Sequence, residues 1–360
     1  MLRRALVRKV CRAEGLSLLA YGPRSTVAFF NSLVWFSGGG SSMRFMLTVG
    51  VVALVVAADA APTAAQSSDR LNPMIALHEA GMPVFGMYAP RASAGRRGAP
   101  AGPVKTPAQL AEETLAYTMS DFVFDGSMEG GVDRGLPAFN SFVSAMSGAG
   151  ASTRTNPLVV KMQEIGTDYA GARDAIAKQL DAGASTLMAV KVESAEEVRQ
   201  AVAAMRYESN GGTRPDRVGN APAYWGVSEA EYRAKADVWP LNPDGELILW
   251  VIVESHAGLA NLAEIAAVPG IGVLWPGAGT LRGIFSSQNA EGERVQNQNG
   301  WEHAIQSVLS ACKENDLECG FPSNASDIAM RMEQGFSVHV MGWGDSGFAT
   351  VEAGRKAAGR

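Results

Sequence analysis

The chain has 360 residues, 47% of them hydrophobic and 19% charged, with a net charge of −5 at neutral pH. That is a globular composition and excludes a disordered or fibrous chain. An acidic chain with no basic run outside its leader excludes nucleic acid as the partner, because phosphate binding needs clustered Lys and Arg.

The first 65 residues stand apart. They hold seven Lys/Arg against two acidic residues, Glu14 and Asp59, so the acidity belongs to residues 66–360. From Met43 the chain reads MRFMLTVGVVALVVAADAAPTAAQ. Arg44 precedes an apolar run from Phe45 to Ala58. Ala58-Asp59-Ala60 and Thr63-Ala64-Ala65 then fit the small-x-small cleavage pattern of a secretory signal peptide. The run falls short of the roughly 20 residues a spanning helix needs, so no stable membrane anchor is expected after cleavage. Residues 43–65 are therefore expected to be the signal, with residues 1–42 an upstream extension of the true start at Met43. The mature protein, residues 66–360, is expected in the periplasm or outside the cell.

Short apolar runs and amphipathic stretches alternate from Leu71 onward. PVFGMY (83–88) predicts a strand. TPAQLAEETLAYTM (106–119) predicts a helix with a Thr cap and Pro in the first turn. DFVFDG (121–126) is a strand and PAFNSFVSAMSGAG (137–150) a helix. PLVVKM (157–162) is a strand, followed by the helix DYAGARDAIAKQLDAGA (168–184), closed by Gly183. TLMAVKV (186–192) is a strand. SAEEVRQAVAAMRY (194–207) opens with a capping box, Ser194 with Glu197 three residues on. LILWVIVE (247–254), IGVLWPG (271–277), ECGF (318–321) and SVHVMGWGD (337–345) complete the strands. Helices at 257–268, 301–316 and 324–335 separate them.

The strands are near-continuous apolar runs, as expected when both faces are buried. Alternation this regular predicts a single parallel (β/α)8 TIM barrel rather than a doubly wound sheet. No G-x-G-x-x-G or P-loop follows an early strand. Two segments interrupt the rhythm, 91–105 and 208–246. Loops that follow strands lie on the catalytic face of such a barrel, and long ones there are commonly functional. Cys312 and Cys319 could pair in an oxidising compartment or remain two buried thiols. No Cys/His zinc spacing exists. His339, within a strand, is expected to be a satisfied core histidine, and His78 and His303 are expected to face solvent from helices.

Three stretches carry a resemblance. GASTLMAVKVESAEEVRQAVAAMRY (183–207), VESHAGLANLAEIAAVPGIGVLW (253–275) and GFSVHVMGWGDSG (335–347) resemble segments of the HpcH/HpaI aldolase family. The citrate-lyase β-subunit and macrophomate synthase-like proteins are its relatives. The resemblance spans residues 71–350. It implies a TIM barrel of the phosphoenolpyruvate/pyruvate type and reversible cleavage of 4-hydroxy-2-oxoacids to pyruvate or a similar 2-oxoacid plus an aldehyde. It also implies a divalent metal, Mg or Mn, and assembly as a homo-oligomer, a trimer or hexamer.

Carried over residue by residue, the metal-bearing carboxylate of the family matches Glu254. A carboxylate ending an apolar strand is costly unless it is paired or bound to a metal. The family's second metal carboxylate falls in the turn Pro276-Gly277-Ala278-Gly279-Thr280, where Gly279 or Thr280 stands instead, and the backbone of Gly277, Ala278 and Gly279 could bind a substrate carboxylate. The oxoacid-clamping Arg matches Lys161, which keeps charge without the bidentate fork; a plain ion pair with Glu254 is the structural alternative. The acid/base loop matches Asp125-Gly126, with Met128 at the His position and Glu129 beside it as a possible proton carrier. His256 is an addition: if the strand conformation continues, residues 254 and 256 share a side, and His256 becomes a metal ligand or acid/base. The expected catalytic set is Lys161, His256, Asp125 and Glu129, with Glu254 on the metal. The competing expectations are an inactive exported oxoacid-binding barrel and a Schiff-base enzyme built on Lys161.

Overall fold

The computed structural model describes residues 70–93 and 103–360. The expected signal peptide, the upstream extension and Met43 lie outside the described residues.

Eight strands form the barrel: β1 Val84–Tyr88, β2 Phe122–Asp125, β3 Leu158–Lys161, β4 Thr186–Ala189, β5 Leu247–Val253, β6 Ile271–Pro276, β7 Glu318–Phe321 and β8 Val338–Met341. Each runs parallel to its neighbours, and the ring closes where Val84 of β1 lies opposite Val338 of β8. β4 pairs with β5 across the longest connection, Thr186 opposite Ile248. The expected TIM barrel is what the chain forms.

Strand alternation divides the core into two shells. Val84, Phe122, Phe124, Val159, Met188, Ile248, Trp250, Ile252, Val273, Trp275, Val338 and Val340 pack inside the barrel. Leu247, Leu249, Val251 and Val253 of β5 face outward onto the helices instead. Large rings fill the interior: Trp250 and Trp275 lie 5.0 Å apart between ring centroids, and Phe122 stands edge-on to Trp250 at 5.3 Å. Two inward positions are glycine because rings occupy their space. A Cβ on Gly86 would run into the Phe122 ring, and one on Gly320 into the Trp275 ring.

The helices begin where the sequence supplies caps. Thr106 and Gln109 form a reciprocal capping box. Ser194 caps the helix Ala195–Met205, while Glu197 turns back to the Glu193 amide at 3.1 Å. Three helices differ from expectation. Val132–Gly148 starts five residues early and carries Pro137 inside it; the proline lies past the first turn and forgoes one i→i−4 bond, a local cost that the buried face of Val132, Phe139, Phe142, Val143 and Met146 outweighs. The stretch 257–268 splits into His256–Ala260 and Leu262–Ala266, parted at Asn261, whose amide donates to Glu193 O at 2.8 Å. The last differs because Asn324 and Asp327 close a side-chain turn, so that helix begins only at Ile328.

The segment 208–246 lies between a helix and β5, which puts it on the N-terminal face of the barrel, opposite the face where loops follow strands. There it meets the helix Pro73–Glu79, whose Met74 and Ile75 plug the barrel interior. Arg70 donates to Pro243 O and Gly245 O. His78 stacks on Trp239 and is buried, so the expectation of a solvent-facing His78 fails. The helix stripe Met74, Ile75, His78 explains it: these positions share one face. His303 is exposed, and His339 is buried with Ser323 at 2.8 Å and Phe336 O at 3.2 Å, both as expected. Cys312 and Cys319 are joined in a disulfide, with Cα atoms 5.8 Å apart. Among the described residues no helix is long and apolar enough to cross a membrane.

Candidate active site

The alternation that builds the interior also aims side chains into the barrel mouth. Val159 faces inward, so Lys161, two residues on at the end of β3, does too. The series Ile248, Trp250, Ile252 continues to Glu254, and Val84 leads by the same count to Tyr88. Asp125 falls on the outward phase of β2. Its Oδ1 accepts the Ser127 amide at 2.7 Å and closes a turn, so it shapes the loop rather than facing the mouth, although its charge still acts on the Tyr88 phenol. That corrects its expected catalytic place.

Lys161 Nζ lies 3.1 Å from Glu129 Oε2, on the loop after β2. The pair that forms is thus Lys161 with Glu129, and the alternative pairing with Glu254 is not made. A Cβ on Gly126 would touch both Tyr88 Cε1 (3.5 Å) and Lys161 Cδ (3.8 Å), so this glycine is the gap in which the two side chains meet. Tyr88 crosses Phe124 edge-on at 4.5 Å. Burial pushes its phenol above the ordinary range, with the Lys161 charge acting the other way. Met128 is buried in the outer core and anchors the loop that carries Glu129.

Glu254 is held differently. Its Oε1 accepts the backbone N–H of Lys191 at 3.1 Å. Lys191 has φ +49°, a left-handed conformation that costs roughly 1 kcal/mol for a residue with a Cβ. Strain of this kind collects at functional sites. The Lys191 side chain turns away to Glu164, 3.1 Å distant. On its other side Glu254 meets Gly277, where a Cβ would lie 2.6 Å from Oε2. The Gly277 amide donates to Val253 O at 2.9 Å, so it is not free for a substrate, which corrects that expectation. Ala278 and Gly279 open the helix Ala278–Ile284, and first-turn amides have no intrahelical acceptor.

His256 does not join Glu254. The strand ends at Val253, Ser255 Oγ caps the next helix by accepting the Gly258 amide at 3.0 Å, and His256 becomes its exposed first residue. Its ring stands edge-on to Phe285, centroids 5.8 Å apart. The expected shared side required strand geometry that Ser255 stops. Tyr88 is the mouth residue the sequence reading passed over, although its place in the alternation points inward. A separate cavity of about 280 Å³ lies at the ends of β7 and β8 beside Ser323, Asn324, Trp343 and Asp345, and neither Lys161 nor Glu254 lines it.

Residues 115–348 match the profile of the HpcH/HpaI aldolase/citrate lyase family. The chain belongs to this family. It is 32% identical over 163 residues to a hydroxypyruvate/pyruvate aldolase of Delftia acidovorans, covering 43% of this chain and 53% of that one. It is also 32% identical over 162 residues to a 2-keto-3-deoxy-L-rhamnonate aldolase of Escherichia coli, covering 45% and 55%. The chain thus spans about half the length of these relatives. Two solved structures share the fold. One is an HpcH/HpaI family protein of Burkholderia cenocepacia, with TM-score 0.55 and 21% identity over 77% of this chain and 93% of that one. The other is macrophomate synthase, with TM-score 0.53 and 20% identity over 80% and 89%.

The family is generally dependent on a divalent metal. The donor set here does not fit a protein-held cation. Among the described residues no three His, Cys, Asp or Glu side chains gather as ligands. Glu254 is a single carboxylate with one oxygen already on a backbone amide, and the turn that follows β6, Gly277-Ala278-Gly279-Thr280, carries no carboxylate. A hard divalent ion takes several oxygen ligands, and one carboxylate leaves almost all of them to solvent.

Proposed function

We propose that this chain is a carbon–carbon lyase that cleaves a 4-hydroxy-2-oxoacid to pyruvate, or a similar 2-oxoacid, and an aldehyde. The observation that carries the reading is the Lys161–Glu129 pair, 3.1 Å apart and facing the mouth of a family barrel. The names of the relatives, hydroxypyruvate/pyruvate aldolase and 2-keto-3-deoxy-L-rhamnonate aldolase, support this class of substrate.

In this reading the Lys161 ammonium binds the oxoacid carboxylate. Glu129 takes the proton from the C4 hydroxyl. The C3–C4 bond breaks, its electron pair moves through C2 onto the carbonyl oxygen, and the aldehyde leaves. The Tyr88 phenol and the amides of Ala278 and Gly279 are the donors available to the enolate oxygen, where preorganised donors contribute most. Glu129 then returns its proton to C3, giving the methyl group of pyruvate. Glu254 fixes Lys191 and Gly277 at the mouth and sets the approach of the carbonyl.

A coupled assay for pyruvate release with a panel of 4-hydroxy-2-oxoacids, run with Mg²⁺, with Mn²⁺ and with chelator, tests the reading. Turnover that falls at least 100-fold in both Lys161→Met and Glu129→Gln supports it. No pyruvate from any substrate, alongside a raised melting temperature with pyruvate, favours the second reading, an inactive oxoacid-binding barrel. Behind that alternative stands Met128, which the resemblance matches to the family's acid/base His and which is a buried side chain that cannot carry a proton.

We also propose that the protein works outside the cytoplasm. The Cys312–Cys319 disulfide and the leader composition support it, since such bonds persist in oxidising compartments. Cell fractionation checks the location, and light scattering checks whether the barrel assembles as the trimer or hexamer expected of its family.

A further inference from the structure

We infer that Glu129 is a stand-in for the substrate's carboxylate: it pairs with the Lys161 ammonium, and an incoming 2-oxoacid displaces it. The inference rests on the proposed oxoacid chemistry and adds a device that sets affinity at that same site.

The two partners are unlike in how they are held. Lys161 ends a barrel strand, its carbonyl accepts the Gln179 amide at 2.9 Å, and its stem lies along the Gly126 gap beside Tyr88. Its side chain is 19% exposed. Glu129 sits on a short loop, is 45% exposed, and has no second partner for its carboxylate among the described residues. The loop is pinned just before it by buried Met128 and is followed by Gly130 and Gly131, the latter at φ +131°. The cation is therefore fixed and the anion is free to swing about the glycines.

Exchange of one carboxylate for another leaves Lys161 paired throughout, so no half-buried charge is stranded. A partly exposed ion pair is weak, so the displacement is cheap. A 2-oxoacid has further advantages over Glu129 at this place. Its carbonyl oxygen extends toward the Tyr88 phenol, which the Glu129 side chain leaves without a hydrogen-bond partner among the described residues. Displacement also releases the Glu129 carboxylate next to the bound substrate, which is where a proton acceptor is needed. The same event thus seats the substrate and arms the base.

Isothermal titration of pyruvate, and separately of oxamate, into wild type, Glu129→Gln, Lys161→Met and Lys161→Arg tests this. Removal of the competing carboxylate should tighten both ligands about two- to five-fold in Glu129→Gln, the gain expected from abolishing a weak ion pair, although that variant loses turnover. Lys161→Met should lose binding and Lys161→Arg, which keeps charge and packing, should retain it. Binding by wild type that is unchanged or weaker in Glu129→Gln overturns the stand-in while leaving the oxoacid reading intact. Binding that survives in Lys161→Met overturns Lys161 as its seat. No binding of either ligand by wild type and Glu129→Gln alike removes the oxoacid reading and the stand-in together.

Discussion

His78 lies face to face with Trp239 at the closed end of the barrel, ring centroids 5.7 Å apart and planes 15° from parallel. Neither ring nitrogen has a hydrogen-bond partner among the described residues, and burial brings its pKa down to about 4. The unfolded chain titrates near 6.5. The folded state therefore disfavours the imidazolium, and the stability present above about pH 6.5 is lost as pH falls toward 4. His339, also brought to about 4 by burial, acts in the same direction. Each group contributes about 1.4 kcal/mol per pH unit in that window. Glu318, 3.9 Å from His78 Nδ1, opposes them: burial raises its carboxyl, so it gains stability as pH falls. His78→Phe keeps the stacked ring and removes two unpartnered polar atoms. Urea unfolding at pH 7 and pH 5 should show this variant at least as stable as wild type at pH 7 and less weakened at pH 5.

Within the segment 208–246 one guanidinium, that of Arg214, is fully buried. Arg214 has no solvent exposure, donates to Asp181 and to the Tyr232 hydroxyl at 3.0 Å each, and lies 4.5 Å from the centroid of the Tyr207 ring. Asp181 also pairs with Arg217. The two partners are therefore unequal. Asp181→Ala strands a buried cation and should cost about 3–5 kcal/mol. Arg214→Met leaves Asp181 its second partner and an apolar side chain between two tyrosines, so it should cost less, roughly 1–3 kcal/mol. Denaturant midpoints of the two variants give the order directly, and the reverse order would show that the cation is not what the acid stabilises.

Much of the barrel was legible because its strands are apolar runs bounded by caps and turns. Alternation alone carries Lys161 and Glu254 into the mouth, and it carries Tyr88 there as well. The N-cap at Ser255 was also a sequence signal, Ser before a helical stretch, and it decides against His256. What local pattern could not supply was the partner of each polar group. The pairing expected for Lys161 was with Glu254, and loop geometry after β2 supplies Glu129 instead. His78 shows the same limit: its helix stripe marks a buried face, but the Trp239 ring that covers it comes from a segment with no periodicity to place it.

The disulfide gives a prediction that separates covalent constraint from packing. Cys312 ends the last turns of a long helix and Cys319 sits in β7, both buried. Closing so short a loop restrains the unfolded chain by about 2–3 kcal/mol in the loop-entropy account. Guanidinium unfolding with and without reductant should differ by that amount, with the barrel still folded when reduced. Alkylation of the unfolded, unreduced protein purified from its producing cells should leave both cysteines unmodified. Modification of both would show that the bond does not form there and would weaken the case for export.

Gly277 and Gly279 are two residues apart and should answer oppositely to a side chain. At Gly277 an added Cβ meets Glu254 Oε2 at 2.6 Å and Ile252 Cγ2 at 3.0 Å. Gly277→Ala should cost about 1–3 kcal/mol through overpacking and should push Glu254 off its Lys191 amide. At Gly279 a Cβ meets nothing within 4 Å, and the residue lies in the first turn of a helix. Gly279→Ala should be neutral or stabilising by up to about 1 kcal/mol. Gly279→Asp then becomes a clean test of the donor count, because a carboxylate fits there and is favoured by the helix start. Wild type should bind Mn²⁺ no better than millimolar by electron paramagnetic resonance titration, and Gly279→Asp should bind about ten-fold tighter or more, as added ligand charge does at hard-cation sites. The gain should vanish in the double variant Gly279→Asp/Glu254→Gln. A wild-type Mn²⁺ site of micromolar affinity that Glu254→Gln abolishes would show instead that Glu254 alone suffices, and would restore the metal to the reaction.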